Sequence, residues 1–356
     1  MTLPQRVDAG LGPTAARLAA AAAAVGVLAF AIAVAAGRAA PAVAALLASW
    51  LFFAGLAAGS VALAAAVRIA HGRWAEAVLP LAEAGSAFFL PALALLVVVL
   101  AGHRALLPDA PLAAPAIRLL VAAAVVFALG ARFVAASRAP SPDPEAVGRA
   151  ALVYVLAYAV GLSVWAHDLV LGLSAGPPFT VIPAYYFLGA FLSGLAWVAL
   201  VAALRDVSGP DLRHDLGKLL FAFIVVWSYF LWALFLPTWY GNVPEEAAVL
   251  LRRWDGPWRP VTAAVLVAVF AWPFWLLFSE TLKRRRATLA IGAGTILLGL
   301  WGERFLLVVP SLHLRGGAGA LLLGAGVALG VAGAFLLALG AGLARAAGGE
   351  ARTPAR

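Results

Sequence analysis

The fold is decided by an uninterrupted apolar stretch, AVAALLASWLFFAGLAAGSVALAAAV, which occupies residues 42–67. It contains no charged side chain. A helix needs about 20 predominantly apolar residues to cross a hydrocarbon layer of roughly 30 Å. Apolar and polar residues do not alternate here, as they would in a strand of a membrane β-barrel. Because a backbone in lipid must satisfy its own hydrogen bonds, the stretch predicts a transmembrane helix.

Similar apolar blocks recur along the whole chain. Of its 356 residues, 65% are hydrophobic and 12% are charged, whereas a soluble domain carries about 25% charged residues. No linker is long enough to separate independent soluble domains. The sequence therefore predicts an all-α polytopic membrane protein, a single transmembrane domain over residues 1–356 with about ten transmembrane helices. We place these spans at 15–36, 42–67, 78–101, 112–135, 150–172, 181–204, 218–240, 260–279, 287–310 and 319–343.

The basic residues give the expected orientation. An even number of spans puts both termini on one side of the membrane. With that side assigned to the cytoplasm, 17 of the 25 Lys and Arg residues fall on the inner side, and the run Lys283 to Arg286 is the strongest inner cluster. Loops rich in Lys and Arg stay in the cytoplasm. We therefore expect both termini to be cytoplasmic.

Composition also limits the cofactors and partners. The chain has no cysteine, which excludes cysteine-ligated iron–sulfur clusters, thioether-attached haem and disulfides within it. A b-type haem needs two histidines that converge from facing helices, and no histidine lies well inside a span with a partner at matching depth. The net charge of +9 is dispersed over short loops. We therefore expect no metal or covalently bound cofactor, and lipid headgroups rather than nucleic acid as partners of the basic residues.

Few ionisable residues lie inside the predicted spans, and their cost of about 2.5–3.5 kcal/mol at a helix centre makes them functional candidates. Glu83 lies near the inner end of the third span, with Glu76 two turns before it on roughly the same face; this pattern predicts either proton uptake or an acid at a solvated helix end. No metal or catalytic motif accompanies these residues. The proton-path candidates are Glu83, Tyr158, His167, Asp168, Glu303 and Arg304.

The other candidates divide between two spans. His167 and Asp168, near the outer end of the fifth span, suit proton handling or a quinone-facing site because histidine titrates near neutral pH. Adjacent helical residues point about 100° apart, so we do not expect His167 and Asp168 both to face one small ligand. The alternative to a functional site is a solvated pair at the membrane interface. Glu303 and Arg304, in the outer half of the ninth span, predict an ion pair with other helices or part of a proton path.

Aromatic and small residues carry weaker signals. The seventh span is crowded with aromatic side chains between Phe221 and Tyr240, where a quinone ring could stack, although packing and lipid anchoring are commoner roles. The pairs Gly55 with Gly59 and Gly326 with Gly330 have the GxxxG spacing that lets helix backbones approach each other. In an alanine-rich chain this spacing also arises by chance.

A specific motif, Trp-Tyr-Gly-Asn-Val-Pro-Glu-Glu, lies at 239–246 and is preceded by Gly-Lys-Leu-Leu-Phe-Ala-Phe at 217–223. These motifs resemble the F subunit of alternative complex III, a member of the NrfD/polysulfide-reductase-like membrane subunits. Further matches are Trp74 with Glu76, Trp-Ala-His-Asp-Leu at 165–169, and the segment 302–312. The chain is shorter than is usual for the family and reads Ser-Ala-Gly-Pro-Pro at 174–178, where members commonly carry a second acid.

The resemblance implies two four-helix bundles, residues 42–172 with spans 2–5 and residues 181–310 with spans 6–9, flanked by the first and last spans. It implies an integral subunit of a respiratory quinol:cytochrome c (electron-acceptor) oxidoreductase in the bacterial inner membrane, structural or proton-conducting and without its own redox cofactor. It leaves open whether a quinone binds this subunit. The implied partners are multihaem cytochrome c and iron–sulfur subunits, a paralogous NrfD-like membrane subunit, membrane lipids and, as a further expectation, a terminal oxidase. A secondary transporter and an intramembrane enzyme are the alternatives.

Overall fold

The computed structural model describes residues 10–109, 112–173, 181–207, 209–312, 314 and 317–350. These residues are helices joined by short turns, and within them ten helical segments are long and apolar enough to cross a membrane. The expected all-α polytopic membrane protein is confirmed. The ten spans are Pro13–Ala35, Ala39–Ile69, Trp74–Ala101, Ala113–Ser137, Pro144–Leu173, Ile182–Leu204, Pro210–Gly241, Trp258–Phe278, Arg286–Leu312 and Ala318–Ala344.

Two spans are interrupted within their length by segments that are not α-helical. The third consists of Arg73–Val78 and Ala84–Phe88 as 3-10 turns, alternating with the α-helices Leu79–Glu83 and Phe89–Ala101. The eighth has the π-helical segment Val267–Ala271 between the α-helices Trp258–Leu266 and Trp272–Phe278. A proline removes a helical hydrogen bond and clashes with the carbonyl four residues earlier. The carbonyl four residues before Pro91 lies in the segment Ala84–Phe88, and the one four residues before Pro273 lies in Val267–Ala271. Each proline therefore accounts for the irregular segment just before it.

Shorter helical pieces complete the chain. The helix Pro244–Trp254, between the seventh and eighth spans, has one apolar and one polar face, and we call it the amphipathic helix. The helices His103–Leu106 and Glu280–Lys283 lie in loops. The turns Leu171–Leu173 and Pro310–Leu312 end the fifth and ninth spans, and the last helix continues to Glu350.

The second span is the centre of the molecule, and nearly all its side chains are buried. It packs against the sixth span so closely that a Cβ added at Gly59 would lie 2.1 Å from the carbonyl oxygen of Ala190. Polar contacts reach it from other spans: Trp50 Nε1 donates to Ala92 O at 2.7 Å, and the Tyr154 hydroxyl donates to Ala58 O at 2.8 Å. Because Gly59 has no side chain, the backbones of the second and sixth spans can lie this close together.

The first and tenth spans form a second close pair. A Cβ added at Gly26 would lie 2.2 Å from the Cα of Gly330, and one at Gly333 would lie 2.4 Å from the carbonyl oxygen of Ala19. Of the two GxxxG pairs, Gly59 and Gly330 make backbone contacts, whereas the neighbours of Gly55 and Gly326 are 3.1 and 3.4 Å from an added Cβ. The assignment of spans 2–5 and 6–9 to separate bundles stays a prediction.

Candidate functional site

Glu83 is buried where the third span is broken. Its side chain lies at the end of the helix Leu79–Glu83 and is 4% exposed. Ser137 Oγ donates to Glu83 Oε1 at 2.6 Å, and Arg138 Nε donates to Glu83 Oε2 at 2.7 Å. Both partners come from the end of the fourth span. The carboxylate thus receives one neutral and one charge-assisted hydrogen bond, which offset the cost of burying it.

A cavity of about 270 Å³ opens beside Ser137, at the inner end of the protein in the predicted orientation. Its walls include Arg68, His71, Glu76 and Ser137. Arg68 Nε donates to Ser137 Oγ at 3.2 Å. Because a water needs only about 10–15 Å³ of such space and a few polar partners, the cavity has room for several waters. Ser137 therefore links the cavity to Glu83, and exposed Glu76 belongs to the same cavity wall.

Asp168 forms a second cluster at the outer end of the fifth span. Its side chain is 3% exposed, although it lies at the membrane surface. Arg118 of the fourth span holds it with two hydrogen bonds, one of them from Nε to Oδ2 at 2.7 Å. His167 Nδ1 lies 2.9 Å from Asp168 Oδ1, while its ring is 64% exposed. The two neighbours therefore contact each other, and water reaches His167 and Arg118, whose side chain is 51% exposed, whereas the carboxylate between them is covered.

Glu303 and Arg304 are both buried in the ninth span, at 4% and 1% exposure. Arg304 Nη1 lies 2.8 Å from Glu303 Oε2, so the expected ion pair forms between neighbours on one helix rather than with another helix. Arg304 also donates to the carbonyl oxygen of Tyr186 at 3.1 Å, and its guanidinium lies 4.3 Å from the centre of the Tyr186 ring. The absence of a side chain at Gly189 makes room for the guanidinium, since an added Cβ would lie 2.6 Å from Nη2.

Tyr158 lies next to this ion pair. Its hydroxyl donates to the carbonyl oxygen of Phe187 at 2.6 Å, one residue from the carbonyl that accepts from Arg304. The Tyr186 hydroxyl donates to Leu51 O at 2.9 Å. The structure therefore brings Tyr158, Glu303 and Arg304 together around the sixth span. Glu83 and the pair of His167 with Asp168 lie in separate clusters.

Arg253 is a functional candidate that the sequence did not reveal. It lies on the amphipathic helix, and its guanidinium donates to Leu306 O at 3.1 Å and to Ser311 Oγ at 3.2 Å. Burial lowers the pKa of Arg253 to about 10, so it remains charged at neutral pH. It lines a cavity of about 90 Å³ together with Glu303 and Trp227. The apolar face of residues 244–254 was the signal that could have indicated a buried position.

Neither models of protein families nor curated proteins give a match to this chain. Among the described residues, no three His, Cys, Asp or Glu side chains lie together in a group that could hold a metal ion. The segment 174–178, where members of the resembled family commonly carry a second acid, lies outside the described residues, and so does His313. The described residues therefore contain three polar clusters: Glu83 at the predicted inner side, Asp168 at the predicted outer side, and Glu303 with Arg304 between the sixth and ninth spans.

Proposed function

We propose that this multi-pass membrane protein is a non-catalytic subunit of a respiratory quinol-oxidising complex and that it conducts protons. The motifs at 217–246, 165–169 and 302–312 support the first part, because they resemble the F subunit of alternative complex III. The observation that carries the second part is Glu83. Its buried carboxylate accepts a hydrogen bond from Ser137, and Ser137 lines a cavity at the predicted inner side, an arrangement that suits proton uptake.

The inner cluster suggests how a proton reaches Glu83. Glu76 lies exposed on the wall of the cavity, where it can collect protons from water. The Ser137 hydroxyl lines the same cavity and donates to Glu83. A hydroxyl both donates and accepts, so it can pass a proton by rotating. Arg138 donates to the other carboxylate oxygen.

Asp168 is the proposed outer end of the relay. Its side chain is buried but contacts the exposed ring of His167, and an imidazole can both accept and donate a proton. Between the two ends, the Tyr154 and Tyr158 hydroxyls donate to backbone carbonyls. Transfer through them requires these hydroxyls to turn away from those carbonyls. Moving one charge across 100 mV involves about 2.3 kcal/mol, so the driving change must come from redox partners of the complex.

Proton release per quinol in vesicles tests the relay. We expect Glu83→Gln and Asp168→Asn to lower the number of protons translocated per quinol while electron transfer to the acceptor continues. Glu145→Gln is the matched control, because Glu145 is an exposed acid on the inner side that pairs only with Arg149 over one helical turn. An unchanged ratio in the Asp168→Asn complex would eliminate the relay.

Membership of a complex is tested separately. The full-length tagged chain, extracted from bacterial membranes in mild detergent, should bring with it multihaem cytochrome c, iron–sulfur and paralogous membrane subunits. Haem absorbance and peptide mass spectrometry identify them. A homogeneous chain without redox partners would contradict the respiratory role and leave the proton measurements without an electron donor.

One structural feature favours a second candidate function, a secondary transporter. Such proteins place ion and substrate sites at discontinuous transmembrane helices, and Glu83 lies at the break in the third span. Ion uptake by vesicles that contain the isolated chain alone would support this function. The respiratory proposal expects no uptake without the partner subunits.

A further inference from the structure

The tenth span leaves a cleft between itself and the ninth span. On its inner half it is anchored by Phe335, whose ring centre lies 5.2 Å from those of Phe88 and Trp197. Farther out it touches the ninth span where Gly324 faces the ring of Phe305. The space on the inner side of that contact has a volume of about 450 Å³, and the space on its outer side about 310 Å³.

The larger space is a groove that opens to lipid. Leu298 and Leu329 at its rim are 71% and 50% exposed, whereas Phe335 at its floor is buried. Apolar side chains line it almost completely, so water has no hydrogen-bond partners there. Protein interiors do not leave spaces of this size empty, and about 300–1,000 Å³ is the usual volume of a small-molecule site. Hydrocarbon is therefore the expected occupant.

The outer space adds a charge to the same cleft. It is lined by Arg38, Pro41, Phe305 and Val309. Arg38 is exposed, and within the part of the chain that the structure describes no acidic side chain forms an ion pair with it. A planar guanidinium matches phosphate oxygens with two parallel hydrogen bonds. At the outer end of the apolar groove, Arg38 thus offers a guanidinium that suits a phosphate and that, among the described residues, has no acidic partner.

The dimensions fit one leaflet. Val309 in the outer space and Gly294 at the far end of the groove are about 15 residues apart on the ninth span, or roughly 22 Å at 1.5 Å per residue. Half of a bilayer of about 40–45 Å, headgroups included, is also roughly 20–22 Å. We propose that this cleft is a binding site for a phospholipid, with its phosphate on Arg38 and an acyl chain in the groove.

Phe305 divides the two spaces and explains how the chain is held. Its ring lies against Gly324, at 2.3 Å from the position of an added Cβ, and its centre is 5.8 Å from that of Trp301 in the groove wall. The acyl chain passes around this ring on the lipid side. A bound lipid thereby fills the gap between the ninth span and the pair formed by the first and tenth spans.

Native mass spectrometry of the delipidated full-length chain tests the site with two probes that share the same acyl chains. Phosphatidylglycerol carries a phosphate, and diacylglycerol does not. We expect the wild-type protein to bind one phosphatidylglycerol and to bind diacylglycerol more weakly. Arg38→Ala should weaken phosphatidylglycerol binding about tenfold, which corresponds to about 1.4 kcal/mol, and leave diacylglycerol binding unchanged. Arg104→Ala, which removes another exposed outer arginine, is the control.

A second pair of variants tests the groove. A Cβ added at Gly294 meets no atom within 4 Å, so Gly294→Leu fills the groove without a clash and should weaken binding of both lipids. Ala325→Leu in the opposite wall should act in the same way if the first variant fails to fold. Ala287→Leu adds the same bulk at an exposed position of the ninth span and should change nothing.

Three results would overturn the proposal. Equal lipid binding by the wild-type, Arg38→Ala and Gly294→Leu proteins would exclude the cleft. Loss of binding in Gly294→Leu alone would place the phosphate elsewhere. Equal affinity of the wild-type protein for phosphatidylglycerol and diacylglycerol would show that Arg38 does not select phosphate.

Discussion

Replacing Arg304 by leucine gives the sharpest test of the buried ion pair. The guanidinium is 1% exposed, lies 2.8 Å from Glu303 Oε2 and donates to Tyr186 O. Its removal leaves a buried carboxylate without its counter-ion. Breaking a buried pair on one side destabilises a protein by about 3–5 kcal/mol. We expect a loss of that size at pH 7 in the free energy of unfolding.

The size of this loss should depend on pH. The orphaned carboxyl of Glu303 can escape its charge by taking up a proton, which costs about 3.7 kcal/mol at pH 7 for a carboxyl with a reference pKa of about 4.3. At pH 5.5 the same uptake costs only about 1.6 kcal/mol. The destabilisation by Arg304→Leu should therefore fall by roughly 2 kcal/mol between these pH values.

Unfolding by a denaturing detergent in mixed micelles measures this effect through the loss of helical circular dichroism. The double variant Glu303→Gln with Arg304→Leu removes both charges of the pair and should recover most of the lost stability at pH 7. Arg149→Leu, which removes an exposed ion pair, should cost at most about 1 kcal/mol. A loss below 1 kcal/mol in Arg304→Leu, or one that does not change with pH, would refute the reasoning.

Three further outcomes follow from the packing and the loops. Gly59→Ala should separate the second and sixth spans and lower the thermal transition of the purified chain by several degrees, whereas Gly55→Ala, with its nearest neighbour 3.1 Å from the added Cβ, should change it much less. Burial and the adjacent Arg104 lower the pKa of His103, so the folded state binds this proton less tightly than the unfolded state. The stability that this difference contributes is present above pH 6.5 and should be lost as the pH falls below that value. The His103→Gln protein should not show this loss. Arg253→Ala removes charge-assisted hydrogen bonds worth about 1.5–3 kcal/mol, and faster hydrogen exchange confined to the amphipathic helix would be the expected result.

The third span shows how far a sequence leads and where it stops. Its apolar length was sufficient to predict a membrane span, and Glu83 was identified as a candidate because few acids occur in such segments. The regular helix assumed between Glu76 and Glu83 was not found, since 3-10 turns interrupt it. The hydrogen bonds to Ser137 and Arg138 join residues 54 and 55 positions apart, a pairing that no local pattern encodes.

Lipid as solvent explains this division. A hydrocarbon layer of fixed thickness requires long, uncharged, internally bonded helices, so the number of spans and their approximate positions followed from the sequence alone. Protein-facing and lipid-facing surfaces are equally apolar, however, so hydrophobicity could not show that the second span is central or that the first lies at the edge. Only the tertiary packing decided which glycines touch another backbone, that Arg118 pairs with Asp168, and that the tenth span stands apart from the ninth.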